Sequence, residues 1–311
     1  MIDFEQAMRD QDDLDALCSW SPDESTVELF SFNDSYGFAR ILKEYSGYPL
    51  DRPIEAIIPH GVYLNTHAME KPERDSELPA VLNYPAFRAQ VWEQETDRIV
   101  VPSASPFLYA LSMFRDRFPE RPDAQGTIFY PAHTIQSQRT NARWYKVADE
   151  LMALDECFQP ITVCMHHIDY TKGLHKPFVQ RKMRVVSAGN AADPEFIYRW
   201  LHLVSSHKYA ASNDLGSAVI YAAEFGLPVH LLSHIVDHLP DLSVRVMVRP
   251  KGITQAQETR KKIVELFRTN TDQPSADRAE VVRYLLGAEN LKTAEGLRAD
   301  LEYVASLTKK D

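Results

Sequence analysis

The second half of the chain alternates short apolar runs with longer segments in which apolar residues recur at helical spacing. The apolar runs predict five strands, at 127–132, 160–165, 183–189, 208–212 and 228–233. The intervening segments, such as 141–155 and 193–207, have the period of amphipathic helices. Strands that alternate with helices of this length predict βαβ units and a parallel sheet.

The first half repeats this alternation less regularly. Its apolar runs predict strands at 26–32, 55–61, 79–85 and 98–103, and its helical spacing predicts helices at 36–45, 86–96 and 105–118. A Pro- and Gly-containing stretch at 118–126 suits a linker, and three amphipathic helices are predicted at 254–267, 275–286 and 293–307. The predicted fold is α/β, with two Rossmann-like domains (1–120 and 121–252) and a helical C-terminal tail (253–311).

Composition narrows the classes of function. The net charge of −10 over 311 residues argues against binding a phosphate backbone, so no nucleic-acid partner is expected. The three cysteines are widely spaced, which indicates neither a disulfide framework nor a thiolate zinc site. No apolar run approaches the ~18 residues of a membrane span, and the first residues lack the apolar core of a secretory signal. We expect a cytoplasmic protein.

The polar turn "SNDLGS" (212–217) lies between the fourth predicted strand of the second domain and a helix. If the strand order is 3-2-1-4-5, this turn and the loop at 130–134 flank the crevice where open parallel sheets bind ligands. A helix N-terminus there favours phosphate. Ser212, Asn213 and Asp214 can cap the helix, Gly216 allows close approach, and Ser217 adds a hydroxyl. The alternative is that the cluster only caps a helix; no dinucleotide or P-loop glycine motif is present.

The order of several motifs carries a resemblance. The turn is followed by a helix of small residues and "GLPV" (226–229), and "IIPHGVYLN" (57–65) and "TIFYPAHT" (127–134) precede it. This set resembles the GT-B-fold glycosyltransferases, the CDP-glycerol glycerophosphotransferases and the capsule transferases of bacterial surface-polysaccharide (capsule and O-antigen) synthesis. The chain departs from them in its short first domain and in Gly216–Ser217, where some relatives carry paired serines.

The resemblance implies roles for particular residues. It makes His60, at a strand end before a glycine, the general base, and it places Ser187, Gly189 and Asn190 where relatives contact the nucleotide base. His133 and Thr134 face the polar turn across the predicted crevice, where either can contact the donor's phosphates. The alternatives are a hydrogen-bonded loop histidine at 60, a histidine packed on Pro131, and an ordinary strand-to-helix connection at 187–190. His67 is expected at the surface.

No metal site and no cofactor are predicted. His166 and His167 fall at the end of a predicted strand, where adjacent side chains point to opposite faces. His230, His234 and His238 have helical spacing but begin in a predicted strand, and no H-E-x-x-H motif occurs. The GT-B enzymes that the chain resembles do not require a bound metal ion.

The predicted function is transfer of a glycosyl group from a nucleotide-sugar donor on the second domain to a hydroxyl acceptor on the first. The acceptor is expected to be a saccharide or a lipid-linked saccharide, and hinge closure between the domains is expected to exclude water. The alternatives are a polyol-phosphate transferase, a UDP-sugar 2-epimerase-like enzyme and a non-catalytic binding or scaffold protein. Peripheral membrane association stays open, and the sequence does not indicate an oligomeric state.

Overall fold

The computed structural model describes residues 13–21, 27–62, 71–115, 123–133, 138–140, 143–233, 238–240, 262–263, 265–267 and 273–308. Thr134, His67 and His234 lie outside the described residues, as does most of the predicted helix at 254–267 and of the predicted linker at 118–126.

The larger sheet belongs to the second half of the chain and is parallel throughout. Its strands are β4 (Thr127–Tyr130), β6 (Ile161–Cys164), β7 (Arg184–Val186), β8 (Tyr209–Ser212) and β9 (Val229–Leu231). They lie in the order β7-β6-β4-β8-β9, which is the 3-2-1-4-5 order expected from the sequence. All five predicted strands are present, and strand order reverses between β4 and β8.

Helices cover both faces of this sheet, which explains why its strands are apolar without alternation. One face, with Phe129 and Val163, packs against α6 (Trp144–Met152) and α8 (Lys176–Val179). The opposite face, with Ile128 and its neighbours, packs against further helices. These are α9 (Phe196–Ser205) and α10 (Ser217–Phe225). A short helix, α7 (His167–Thr171), follows β6.

The smaller sheet belongs to the first half and is also parallel, in the order β1-β2-β3. Its strands are β1 (Ala56–Ile57), β2 (Ala80–Asn83) and β3 (Ile99–Pro102). Its helices are α2 (Phe38–Ser46), α3 (Lys71–Asp75), α4 (Ala89–Glu95) and α5 (Pro106–Arg115). The prediction of an α/β fold with two parallel-sheet units is confirmed.

The predicted strand at 26–32 is wrong for its described residues. Residues 27–30 form no strand, and Ser31–Gly37 forms a 3₁₀ segment. Side chains replace the ladder that a strand would have made beside β1: the Glu28 carboxylate accepts from the Ile54 N–H at 3.0 Å, and the Asn33 side chain bonds Ala56 and Ile58. Buried Lys43 neutralises Glu28 in an ion pair. Polar side chains therefore satisfy this edge of the sheet.

The C-terminal helices return to both units. These are α11 (Ala276–Leu285) and α12 (Ala294–Leu307), at two of the three predicted positions. Helix α11 packs on α10 of the second unit, while α12 packs on α2 and β1 of the first. The Tyr45 hydroxyl donates to the Lys292 carbonyl at 2.9 Å, and Arg52 pairs with Glu302 at 2.8 Å.

Two further elements lie at the periphery. Helix α1 (Leu14–Ser19) packs on α7 of the second unit, although it precedes the first unit in the sequence. Strands β5 (Gln138–Thr140) and β10 (His238–Pro240) form an antiparallel pair.

A single cluster of buried apolar side chains runs through both units. It contains Ile58 and Leu82 of the smaller sheet, Ile128 and Leu231 of the larger one, and Leu297 of α12. At the boundary, the Phe107 ring of α5 stacks on the Tyr221 ring of α10, with centroids 4.2 Å apart. The two sheets are therefore joined by packed core.

Candidate functional site

The loops that follow β4 and β8 lie together at the point where strand order reverses. The Asn213 Oδ1 atom accepts from the Ala132 N–H at 2.8 Å, and the Ser212 hydroxyl donates to the Tyr130 carbonyl at 2.6 Å. Asn213 is fully buried, and its Nδ2 group has no hydrogen-bond partner among the described residues. The sequence thus predicted correctly which two loops meet.

The N-terminus of α10 carries no capping side chain. The N-cap residue is Gly216, and no side chain of the described part of the chain bonds the first turn. The Ser212 hydroxyl instead accepts from the Asp214 N–H at 3.1 Å, and the Asp214 carboxylate accepts from the Leu215 N–H at 2.8 Å. The expectation that Ser212, Asn213 and Asp214 cap this helix is wrong, because their oxygens bond within the turn and to residues 130–132.

The described residues leave space open beside this helix end. A Cβ atom placed on Gly216 would meet none of their heavy atoms within 4 Å, and its φ of −113° suits any residue. The glycine is thus required neither by its backbone conformation nor by packing against the described part of the chain. An uncapped helix N-terminus with free space before it can receive an anion.

Ser217 joins this helix to the first unit. Its hydroxyl oxygen accepts from the Val62 N–H at 2.9 Å. Gly61 has a φ of +101°, and a Cβ atom there would lie 2.7 Å from the same oxygen, so only glycine fits. The turn after β1 is therefore held against the start of α10, and His60 lies in that turn.

Four histidines from three loops form a cluster beside this contact; we call His60, His133, His166 and His167 the histidine cluster. The rings of His133 and His166 stack with centroids 4.3 Å apart, and His166 and His167 are separated by the same distance. His60, from the other unit, is close enough to influence the pKa of His166.

The environment keeps the imidazoles of His60, His166 and His167 neutral. Burial, with the added effect of His133, lowers the pKa of both His60 and His167 to about 4. Burial and the neighbouring His133, His167, His60 and Lys172 hold the pKa of His166 well below its usual range. Bases that are buried close together lose their protons because burial and mutual repulsion both disfavour the charged forms. An anion placed among them would reverse the effect and favour protonation.

Two hydrogen bonds fix which nitrogen carries the proton. The Nδ1 atom of His166 accepts from the Ile168 N–H, and that of His167 accepts from the Ala191 N–H, both at 3.3 Å. In a neutral imidazole the other nitrogen, Nε2, then carries the hydrogen and is a donor. Both histidines are therefore donors even when uncharged.

Sequence reasoning missed His166 and His167, because it extended the strand to residue 165 and assumed alternating faces. Strand β6 ends at Cys164, His166 caps α7, and His167 is its first residue. The tandem histidines directly after the second strand of the sheet were the available signal. Among the described residues, no group of three or more His, Cys, Asp or Glu side chains has the arrangement of a metal site.

The loop after β7 is covered by the protein itself. The Ser187 hydroxyl donates to the Met165 carbonyl at 2.8 Å, and the Asn190 amide donates to the Trp20 carbonyl at 2.7 Å. A Cβ atom on Gly189 would lie 3.0 Å from the Leu17 side chain of α1. The assignment of Ser187, Gly189 and Asn190 to the nucleotide base stays a prediction, and any base bound there lies next to α1.

Comparisons with known proteins give only distant likenesses. No protein-family model matches the chain, and no curated protein matches it. The wall teichoic acid polymerase TagF has a TM-score of 0.40 and 9% identity, over 84% of this chain and 69% of that one. MnaA of S. aureus with UDP has a TM-score of 0.37 and 10% identity, over 87% of this chain and 85% of that one. UDP-GlcNAc 2-epimerase of Neisseria meningitidis with UDP-GlcNAc has a TM-score of 0.38 and 13% identity, over 88% of this chain and 73% of that one.

Within the described residues, no helix is long and apolar enough to cross a membrane.

Proposed function

We propose that the protein transfers a glycosyl group from a nucleotide-activated sugar to a hydroxyl of a saccharide or lipid-linked saccharide, in surface-polysaccharide synthesis in the cytoplasm. One observation carries the proposal: the uncapped N-terminus of α10 and the turn that holds His60 are in contact through Val62 and Ser217. An anion site and a candidate base thus lie side by side at the point where strand order reverses.

In this proposal the donor's phosphates lie between the start of α10 and the histidine cluster. Nε2–H groups of His166 and His167, together with His133, donate to phosphate oxygens, and the helix N-terminus adds backbone donors. The dianionic diphosphate raises the pKa of the neighbouring imidazoles, because it stabilises their protonated forms. Phosphate binding and proton uptake are thereby coupled.

His60 acts as the general base. It takes the proton of the acceptor hydroxyl as that oxygen attacks the anomeric carbon, and the nucleoside diphosphate leaves with the bonding electrons. With a pKa of about 4 the free imidazole is neutral but weakly basic. The bound diphosphate strengthens it as a base, so that a proton is accepted mainly when the donor is present.

A polyol-phosphate transferase is the second candidate, because the same anion site can hold a phosphoryl group that is itself attacked. An epimerase-like enzyme would change the sugar without an acceptor, and a binding protein would hold the nucleotide without product. Product analysis with and without a hydroxyl acceptor separates these four outcomes.

The first test is calorimetric titration of the full chain with UDP, CDP, GDP and dTDP. We expect one of them to bind, and His166→Ala to weaken that binding by about 10- to 100-fold, the loss of one charge-assisted hydrogen bond. His202→Ala is the matched control. His202 lies in α9 near Arg184, the first residue of β7, and thus near the amino ends of the strands, opposite the candidate site. Absence of binding by every nucleotide, or equal weakening by both variants, contradicts the proposed site.

A further inference from the structure

Tyr36 has a backbone conformation that is uncommon for a residue with a side chain. Its φ and ψ are 60° and 14°, in the left-handed region, inside the 3₁₀ segment Ser31–Gly37. Such a conformation is energetically unfavourable and persists only where surrounding contacts enforce it. The contacts around Tyr36 therefore indicate the role that its conformation serves.

Three contacts of this turn come from one segment of the second unit, 191–196. The Tyr36 N–H donates to the Ala191 carbonyl, and the Tyr36 ring packs on the Phe196 ring with centroids 4.8 Å apart. A Cβ atom on Gly37 would lie 2.3 Å from the Pro194 carbonyl oxygen, so the two backbones are in close contact. The turn belongs to the first unit by sequence but is in close contact with the second.

The ring that this turn presents lies against His60. The Tyr36 and His60 centroids are 4.8 Å apart, and the Phe32 ring meets the imidazole edge-on at 5.8 Å. The His60 Nδ1 atom is buried and has no hydrogen-bond partner among the described residues. A catalytic base is usually oriented by a hydrogen bond to its second nitrogen. Here aromatic packing is in the place of that bond.

We propose that Tyr36 is the positioning residue for His60, and that segment 191–196 of the second unit sets the orientation of the base through it. This inference rests on the proposed role of His60 as base. The arrangement lets the unit that would hold the donor align a side chain of the other unit without touching it directly. Tyr36 acts by packing, so its ring is needed and its hydroxyl is not.

The test is an NMR titration of His60 in the full chain, with its signal assigned by the His60→Gln variant. Removing the ring in Tyr36→Ala admits water, so the His60 pKa should rise from about 4 toward its ordinary value of 6.5. The charged and titratable groups that act on the imidazole, His133 and His166, are unchanged. Tyr36→Phe should keep the low value, because the ring remains.

Turnover gives a second, separate readout. The acid limb of the pH profile of kcat/KM reports the free enzyme, so in Tyr36→Ala it should shift to higher pH together with the His60 pKa. The value of kcat should fall about tenfold or more. Nucleotide affinity should stay within about twofold of wild type. Tyr45→Ala, which removes a half-buried ring of α2 that packs on Tyr109, is the control and should change neither pKa nor kcat.

The outcomes separate the two proposals. A His60 pKa that does not move in Tyr36→Ala overturns the positioning role, whatever the reaction is. A pKa that moves while no transfer is found supports the positioning role and counts against the transferase. Gly37→Ala, which forces the turn off Pro194, provides the same measurement if Tyr36→Ala does not fold.

Discussion

Single residues in the site are defined by what surrounds them more than by their type. His60 and His133 follow short apolar runs, so their location at strand ends was predictable from the sequence. The participation of His166 and His167 was not, because it depends on the residue at which β6 ends. Tyr36 was beyond prediction, because the segment that its backbone N–H and ring contact lies more than 150 residues away in the chain. The Val62–Ser217 contact likewise spans 155 residues.

At this scale we predict that His60→Ala binds nucleotide as wild type does, while transfer falls by ~10²–10⁴-fold. A base removes the acceptor proton only as the new bond forms, so its loss affects turnover and leaves donor affinity unchanged. Steady-state transfer assays beside calorimetric titration measure the two quantities separately. His207→Ala, at a histidine bonded to the Leu203 carbonyl, should retain turnover in the folded fraction. Near-wild-type transfer in His60→Ala would move the role of base to His133.

Among the helices and strands, α10 is the one whose N-terminus is central to the proposed ligand site. Its location, and the strand order that brings it to the crevice, followed from the alternation of apolar runs and helical segments. The pattern did not show that its first turn lacks a cap, because Ser, Asn and Asp before a helix usually supply one. The same limit applies at 26–32, where β-type residues predict a strand but the side chains of Glu28 and the nearby Asn33 bond residues 54–58 instead.

We predict that Gly216→Val folds normally and binds nucleotide at least tenfold more weakly. The φ of −113° accepts a β-branched residue, and the new side chain fills the open space before the helix. Gly296→Val, in the first turn of α12, is the matched control and should leave affinity unchanged. Titration and far-UV circular dichroism of both variants test this. Wild-type affinity in Gly216→Val would mean that the helix end does not receive the ligand.

For the whole molecule, the buried core shared by the two units argues against the hinge closure that was expected from the sequence. Phe107 and Tyr221 stack at the boundary, and buried residues of both sheets belong to one cluster. Independent movement of the two units would separate these surfaces and expose apolar area to water. The site is thus assembled by packing, and opening it by a rigid-body hinge would cost core contacts. The number of units was predictable from the sequence, but their degree of fusion was not.

We therefore predict a single cooperative unfolding transition, in place of the two expected of independently folding domains. Denaturation followed by tryptophan fluorescence should coincide with denaturation followed by circular dichroism. Phe107→Ala, which removes a fully buried ring, should lower the free energy of unfolding by about 3–5 kcal/mol and shift the whole curve. Two separate transitions, with only one displaced by this substitution, would show that the units unfold independently.

The return of α12 to the first unit has a consequence for synthesis on the ribosome. Arg52 and Glu302, which join α12 to this unit, are 250 residues apart in the chain. At about 5–20 residues per second, the ribosome needs on the order of tens of seconds to make the intervening polypeptide. During that time the nascent first unit lacks Leu297, Leu301 and Val304, and its apolar surface is left for a chaperone to cover.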